Sequence, residues 1–154
     1  MKRWGIPTLA LAQMLSCADA SPRYLSYFNF LGGGSRSGWH YFVDSSVDWG
    51  QDLLRLKSWM KDHGVGRIHL AYFGTGEPRA YGIPFIKTYR YMDFDPEEVS
   101  GYPAPGDYFA CSVTLYQNVY VYDEQFKAWL QRLRSQLQPV GQAGDSILIF
   151  KIPN

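Results

Sequence analysis

Residues Trp39 to His69 read WHYFVDSSVDWGQDLLRLKSWMKDHGVGRIH, and the reading of this stretch decides the fold. Trp39 to Val43 is aromatic or β-branched apart from His40, which predicts a strand with both faces covered. Asp44, Ser45 and Ser46 end it. Asp48 and Gln51, three positions apart, match a capping box: the carboxylate accepts from the Gln51 amide, and the Gln51 side chain reaches back to the Asp48 amide. A helix is therefore predicted from Trp49. Leu53, Leu54, Leu56 and Met60 form its apolar stripe and Arg55, Lys57 and Lys61 its wet side. Gly64 is its left-handed stop after His63. Ile68 to Phe73 is the next strand. Strand, helix and strand predict a βαβ unit whose right-handed crossover brings Asp44 and Phe73 out on the same edge of the sheet.

Before this unit, Ser21 to Gly38 holds an aromatic cluster of Tyr24, Tyr27, Phe28 and Phe30 and then a glycine run. The glycines precede the first predicted strand and lack a Gly-Lys-Ser/Thr ending, so they read as a flexible connection and not as a phosphate loop. After the unit, Gly74 to Gly106 is rich in Pro, Gly and Tyr. It is expected to lie across the strand ends as a lid, with a short helix around Pro78 to Tyr81 and a helix start at Asp95-Pro96-Glu97-Glu98. A bare surface excursion is the competing reading. Asp107 to Leu115 alternates as a strand. Asp123 then caps a helix carrying Phe126, Trp129, Leu130, Leu133 and Leu137 on one face, ended by Pro139. Val140 to Gln142 and Ser146 to Ile152 form a terminal hairpin around Ala143-Gly144-Asp145. The fold class expected is α/β: one domain over residues 21–154, a mainly parallel sheet flanked by helices, with the βαβ unit first and a strand, helix and terminal β-hairpin after it.

Bulk properties narrow the function. The chain has 154 residues, 46% hydrophobic and 19% charged, enough to bury a core as one domain. A formal charge of +1 and the lack of a basic run argue against a nucleic-acid partner. Aromatics reach 17%; they serve as core, as a membrane-interface belt or as platforms that stack on sugars. Cys17 and Cys111 give neither a disulfide framework nor metal-ligand spacing, and His40, His63 and His69 are poorly placed for a metal. No cofactor is expected, since no dinucleotide, phosphate-loop or zinc motif is present.

Lys2 and Arg3 precede an apolar stretch from Gly5 to Cys17, and Ala18-Asp19-Ala20 before Ser21 fits a small-residue cleavage site. Residues 1–20 therefore read as a signal-like or residual membrane segment. Either reading puts the remainder outside the cytoplasm, as a periplasmic or cell-surface domain; a cytoplasmic chain with an ordinary first helix is the alternative.

Three stretches carry a resemblance: Tyr24-Leu25-Ser26-Tyr27-Phe28-Asn29, Asp44-Ser45-Ser46-Val47-Asp48-Trp49-Gly50-Gln51-Asp52-Leu53, and Ala71-Tyr72-Phe73-Gly74 through Tyr81-Gly82-Ile83. They resemble the C-terminal extracytoplasmic portion of bacterial polytopic glycosyltransferases of family 39, the protein-mannosyltransferase-like group. Pro139-Val140-Gly141 to Phe150 is similar to the close of that region. The Asp-Trp-Gly-Gln-Asp string is its specific signal, and Phe30 departs from it where the family tends to have an acidic residue. The resemblance implies a membrane enzyme that moves sugar from a polyprenyl-phosphate carrier to an acceptor. The family's catalytic acidic residues lie in an early loop that nothing here matches, so no catalytic residue is carried over. The chain is expected to be a soluble accessory domain whose partner is a membrane-embedded glycosyltransferase portion or a lipid-linked sugar, with self-assembly also allowed. An independent secreted binding or assembly module is the alternative.

Asp44, Asp48, Trp49, Gln51 and Asp52 cluster where the first predicted strand ends and the helix begins, the usual ligand position in open parallel sheets. Tyr72, near the end of the second predicted strand, joins them as a candidate. Trp49 would stack on a sugar while the carboxylates and the Gln51 amide bond its hydroxyls. Capping, packing and turn closure explain the same residues without a ligand. Asp44 and Asp48 also invite a glycosidase reading, but a capping Asp48 would be a poor acid.

Overall fold

The computed structural model describes residues 5–21, 24–28, 33–42, 44–91 and 99–154. Five strands, Ile68–Ala71 (β1), Phe85–Tyr89 (β2), Tyr108–Ser112 (β3), Gly141–Ala143 (β4) and Ile147–Lys151 (β5), form one sheet in the order β2-β1-β3-β5-β4. β1 runs parallel to β2 and β3, and β5 runs antiparallel to β3 and β4. The helices are Gly5–Ala20 (α1), Leu53–Asp62 (α2), the single turn Val113–Tyr116 (α3) and Glu124–Gln136 (α4).

Side-chain alternation along the central strands builds two cores, one per face. Ile68 and Leu70 of β1, Ala110 of β3, and Ile147 and Ile149 of β5 meet Leu53, Leu56 and Met60 of α2. The intervening Ala71, Phe109, Cys111, Leu148 and Phe150 meet Phe126, Leu130 and Leu133 of α4. The mixed α/β sheet is thus covered on both sides, which is why its central strands read as continuous apolar runs.

Several expectations hold locally. Asp123 caps α4, its Oδ1 accepting from the Phe126 amide at 2.9 Å. Gly64 follows α2 at φ +64°, and the terminal hairpin forms. Others are corrected. Trp39 to Val43 is not the first strand: Ser35–His40 is a 3₁₀ segment, Tyr41 is in a turn, and Val43 lies outside the described residues. β1 is already flanked by β2 and β3, so no position beside it is open to a strand preceding α2. The βαβ unit reduces to a helix followed by a strand. Trp39 instead stacks on His40 with ring centroids 3.7 Å apart, and its carbonyl accepts from Gln117 Nε2.

Leu54 is 60% exposed and falls outside the α2 stripe. β3 stops at Ser112 instead of Leu115, because the chain turns into α3 once the Val113 amide bonds the Ser146 carbonyl. The expected lid, Gly74 to Gly106, contains β2, an edge strand whose outer side is partly covered where the Ser100 amide bonds the Lys87 carbonyl. The Asp95 to Glu98 helix start and Phe30 lie outside the described residues. No helix among the described residues is long and apolar enough to cross a membrane.

Candidate functional site

From β1 the chain goes to β2 on one side, then returns past β1 to β3 on the other. The carboxyl ends of β1 and β3 therefore flank the position where open parallel sheets leave a crevice for ligands. Here the chain's own segment from Asp44 to Asp52 spans it. The Asp44 amide donates to Thr114 Oγ1 beyond β3, and the Tyr72 hydroxyl beyond β1 donates to the Gly50 carbonyl at 2.8 Å. Gly50 adopts φ +75°, and a Cβ there would collide with the Tyr72 ring and hydroxyl, so a glycine is required.

Inside this segment the capping box is replaced by a tighter turn. Asp48 Oδ1 accepts from the Gly50 amide at 3.0 Å, and Gln51 Oε1 accepts from the Trp49 amide at 2.7 Å while its Nε2 donates to the Val47 carbonyl. α2 consequently begins at Leu53 and not at Trp49. Asp52 occupies the position before the helix without capping it. Its Oδ2 accepts from the Asp145 amide, the Ser146 amide and the Ser146 hydroxyl, at 2.9, 3.0 and 2.9 Å, and its Oδ1 pairs with Arg55 at 2.6 Å. Asp145 in turn accepts from the Ser26 hydroxyl at 2.7 Å.

Asp48 is fully buried, and its Oδ2 has no hydrogen-bond partner among the described residues. Burial, aided by the charge of Asp52, raises its carboxyl to about 7, against the opposing pull of the Gly50 amide and the Ser112 and Ser146 hydroxyls. Burial, then Asp48, also pushes the Tyr72 hydroxyl up. Trp49, by contrast, is 59% exposed.

Asp44, Asp48, Gln51, Asp52 and Tyr72 are thus brought into one network of turns, with Trp49 on its outside. The glycosidase pairing of Asp44 with Asp48 gains no support, since Asp48 is fully buried while Asp44 Oδ2 accepts from the Tyr120 hydroxyl at 2.7 Å. The described residues hold no group of His, Cys, Asp or Glu suited to a metal ion. Ser26, Ser112, Asp145, Ser146 and Tyr120, whose hydroxyl donates to Asp44 Oδ2, complete the network, and no sequence signal singles them out. Asp145 reads only as part of a hairpin turn and Ser146 as the start of the strand after it, and Tyr120 lies in a stretch with neither helical nor strand period. Next to the network is a cavity of about 240 Å³ lined by Ser26, Tyr27, Phe28, Gly38, Phe42, Ser46 and Val47. Comparison of the chain with family models, with curated proteins and with solved structures finds no match.

Proposed function

We propose that this chain is a non-catalytic accessory domain of a membrane glycosyltransferase using a polyprenyl-phosphate-linked sugar, and that it helps to position donor or acceptor at the outer face of the membrane. The observation that carries this reading is where the apolar surface lies. At 100° per residue, Ile6, Leu9, Leu11, Met14 and Leu15 go round the whole circumference of α1, and each is more than half exposed. A helix apolar all round belongs in a protein core or in lipid. Tyr24, Leu25, Tyr41, Phe42 and Trp49 are the next exposed large apolar side chains along the chain, and Tyr and Trp favour the bilayer interface. From Gly50 onward, over about twice that length, the exposed large apolar side chains among the described residues are only Leu54, Tyr81, Val99, Tyr122 and Val140.

The enclosure of Asp48 and Asp52 supports assigning bond-making to another polypeptide segment, as the resemblance through Asp44 to Leu53 implies. The test is flotation of the purified chain with vesicles carrying or lacking polyprenyl phosphate, with tryptophan emission recorded. Binding with a saturable emission shift that weakens in Trp49→Ala is expected, without glycosyl transfer or cleavage. Transfer or cleavage by the chain alone overturns the non-catalytic assignment. No binding and no shift would favour an independent secreted binding module.

A further inference from the structure

At the carboxyl ends of β1 and β2, three rings meet beside a carboxylate. Phe73 and Tyr120 stack in parallel with centroids 5.6 Å apart. Tyr91 meets both at steep angles, 58° to Phe73 at 4.6 Å and 61° to Tyr120 at 5.7 Å. The Tyr120 hydroxyl donates to Asp44 Oδ2 at 2.7 Å. Tyr122 follows, 76% exposed. Burial first, then Asp44 and Tyr122, hold the Tyr91 hydroxyl above its ordinary value, so these groups lie within electrostatic reach of one another.

The arrangement is held at a cost. Asp44, Asn118 and Tyr120 are the non-glycine residues at positive φ among those described, at +59°, +63° and +60°. A left-handed tyrosine is unfavourable unless its surroundings over-determine it. Here they do: Phe73 backs the ring, Asp44 holds the phenol, and the Tyr89 hydroxyl donates to the Tyr120 carbonyl at 2.7 Å while accepting from the Tyr122 amide at 3.0 Å. Because Phe73 is buried, the face of Tyr120 it covers is the inner one.

We propose that Asp44, Tyr91, Tyr120 and Tyr122 form a binding site for an organic ammonium group. Ring faces carry negative potential that attracts cations, and a carboxylate reinforces it. Donation from the Tyr120 hydroxyl to Asp44 enriches that ring further. A sugar prefers one flat exposed face, whereas inclined rings make the walls of a corner, the geometry suited to a compact cation. Asp44 Oδ2 is already engaged by the Tyr120 hydroxyl, so the ring walls and not an acceptor for N–H define the site, which favours the quaternary ammonium of a choline headgroup. The inference stands independently of the accessory-domain reading.

The test is titration of the full chain with tetramethylammonium, with choline, with butylammonium as the lysine-like probe, and with a neutral methyl glycoside, at constant ionic strength, by proton NMR. Saturable upfield shifts of the N-methyl protons are expected from ring currents. Affinity for tetramethylammonium is expected to fall at least about threefold in Asp44→Asn and in Tyr122→Ala. Asparagine tolerates the left-handed backbone of position 44, so Asp44→Asn should keep its fold, and an unchanged urea midpoint verifies this. Choline binding in preference to butylammonium is expected, and the reverse preference would mark a basic side chain as the ligand and overturn the headgroup assignment. No saturable shift for any cation, equal affinity in a folded Asp44→Asn, or binding of the glycoside alone would overturn the proposal.

Discussion

Asp52 and Ser146 are joined twice, the carboxylate accepting both the amide and the hydroxyl of the serine, across 94 positions of sequence. This pair anchors the start of α2 to the turn of the terminal hairpin. Replacing Asp52 with alanine leaves the Asp145 and Ser146 amides without their acceptor, and Arg55 without its partner. A loss of about 3 to 5 kcal/mol is expected. Arg55 is about one third exposed, so Arg55→Ala should cost no more than about 1 kcal/mol. Urea midpoints of both variants check this, and equal losses would show that the ion pair, not the amide anchorage, dominates.

Asp48 makes stability depend on pH. Its carboxyl rises from 3.8 in the unfolded chain to about 7 in the folded one, so the folded state binds the proton more tightly. Stability from this group is fully present below pH 3.8 and is lost as pH rises through about 7, a change of a few kcal/mol. Asp48→Asn removes the titration. Between pH 5 and 8 its urea midpoint should lack the fall that Asp48 gives the parent, the variant being the more stable at pH 8. Parallel curves would contradict the assignment.

The chain is legible where period and punctuation agree, as at β1, in most of β3 and from Asp123 onward. The α4 stripe, the Asp123 cap, Gly64 and the closing hairpin are local signals, and their partners lie within a few residues. Trp39 to Val43 failed for a non-local reason: its composition suits a strand, but the sheet has no vacant position beside β1. β2 was lost inside a polar connection because it is an edge strand with Lys87 and Thr88 in it. In the site, the proximity of Asp48 and Gln51 was readable from their spacing. What Asp52 holds was not, since Asp145 lies 93 positions away and looks like any turn residue.

The helix α4 tests packing against capping. Trp129 is half-buried and meets Phe109 edge to face at 4.9 Å. Trp129→Ala should therefore cost less than the roughly 3 to 5 kcal/mol of a fully buried tryptophan, about 2 to 3. Asp123→Ala removes one hydrogen bond at the helix start and should cost about 1 kcal/mol. Thermal unfolding of the two variants ranks them, and a larger effect for the cap would mean that α4 depends more on its first turn than on its buried face.

Two glycines separate backbone strain from collision. Gly64 and Gly144 have nearly the same φ, +64° and +62°, so alanine meets a similar left-handed penalty at each, about 1 to 2 kcal/mol. Around Gly64 a Cβ would meet nothing within 4 Å among the described residues. At Gly144 it would strike the Asp52 carboxylate, which cannot retreat without releasing the Asp145 and Ser146 amides. Gly144→Ala should therefore exceed Gly64→Ala by at least about 2 kcal/mol. In the Asp52→Ala background, where the obstructing carboxylate is gone, the excess should shrink. A double-mutant cycle on urea midpoints measures that coupling, and strict additivity would mean that the hairpin turn and the start of α2 do not bear on each other.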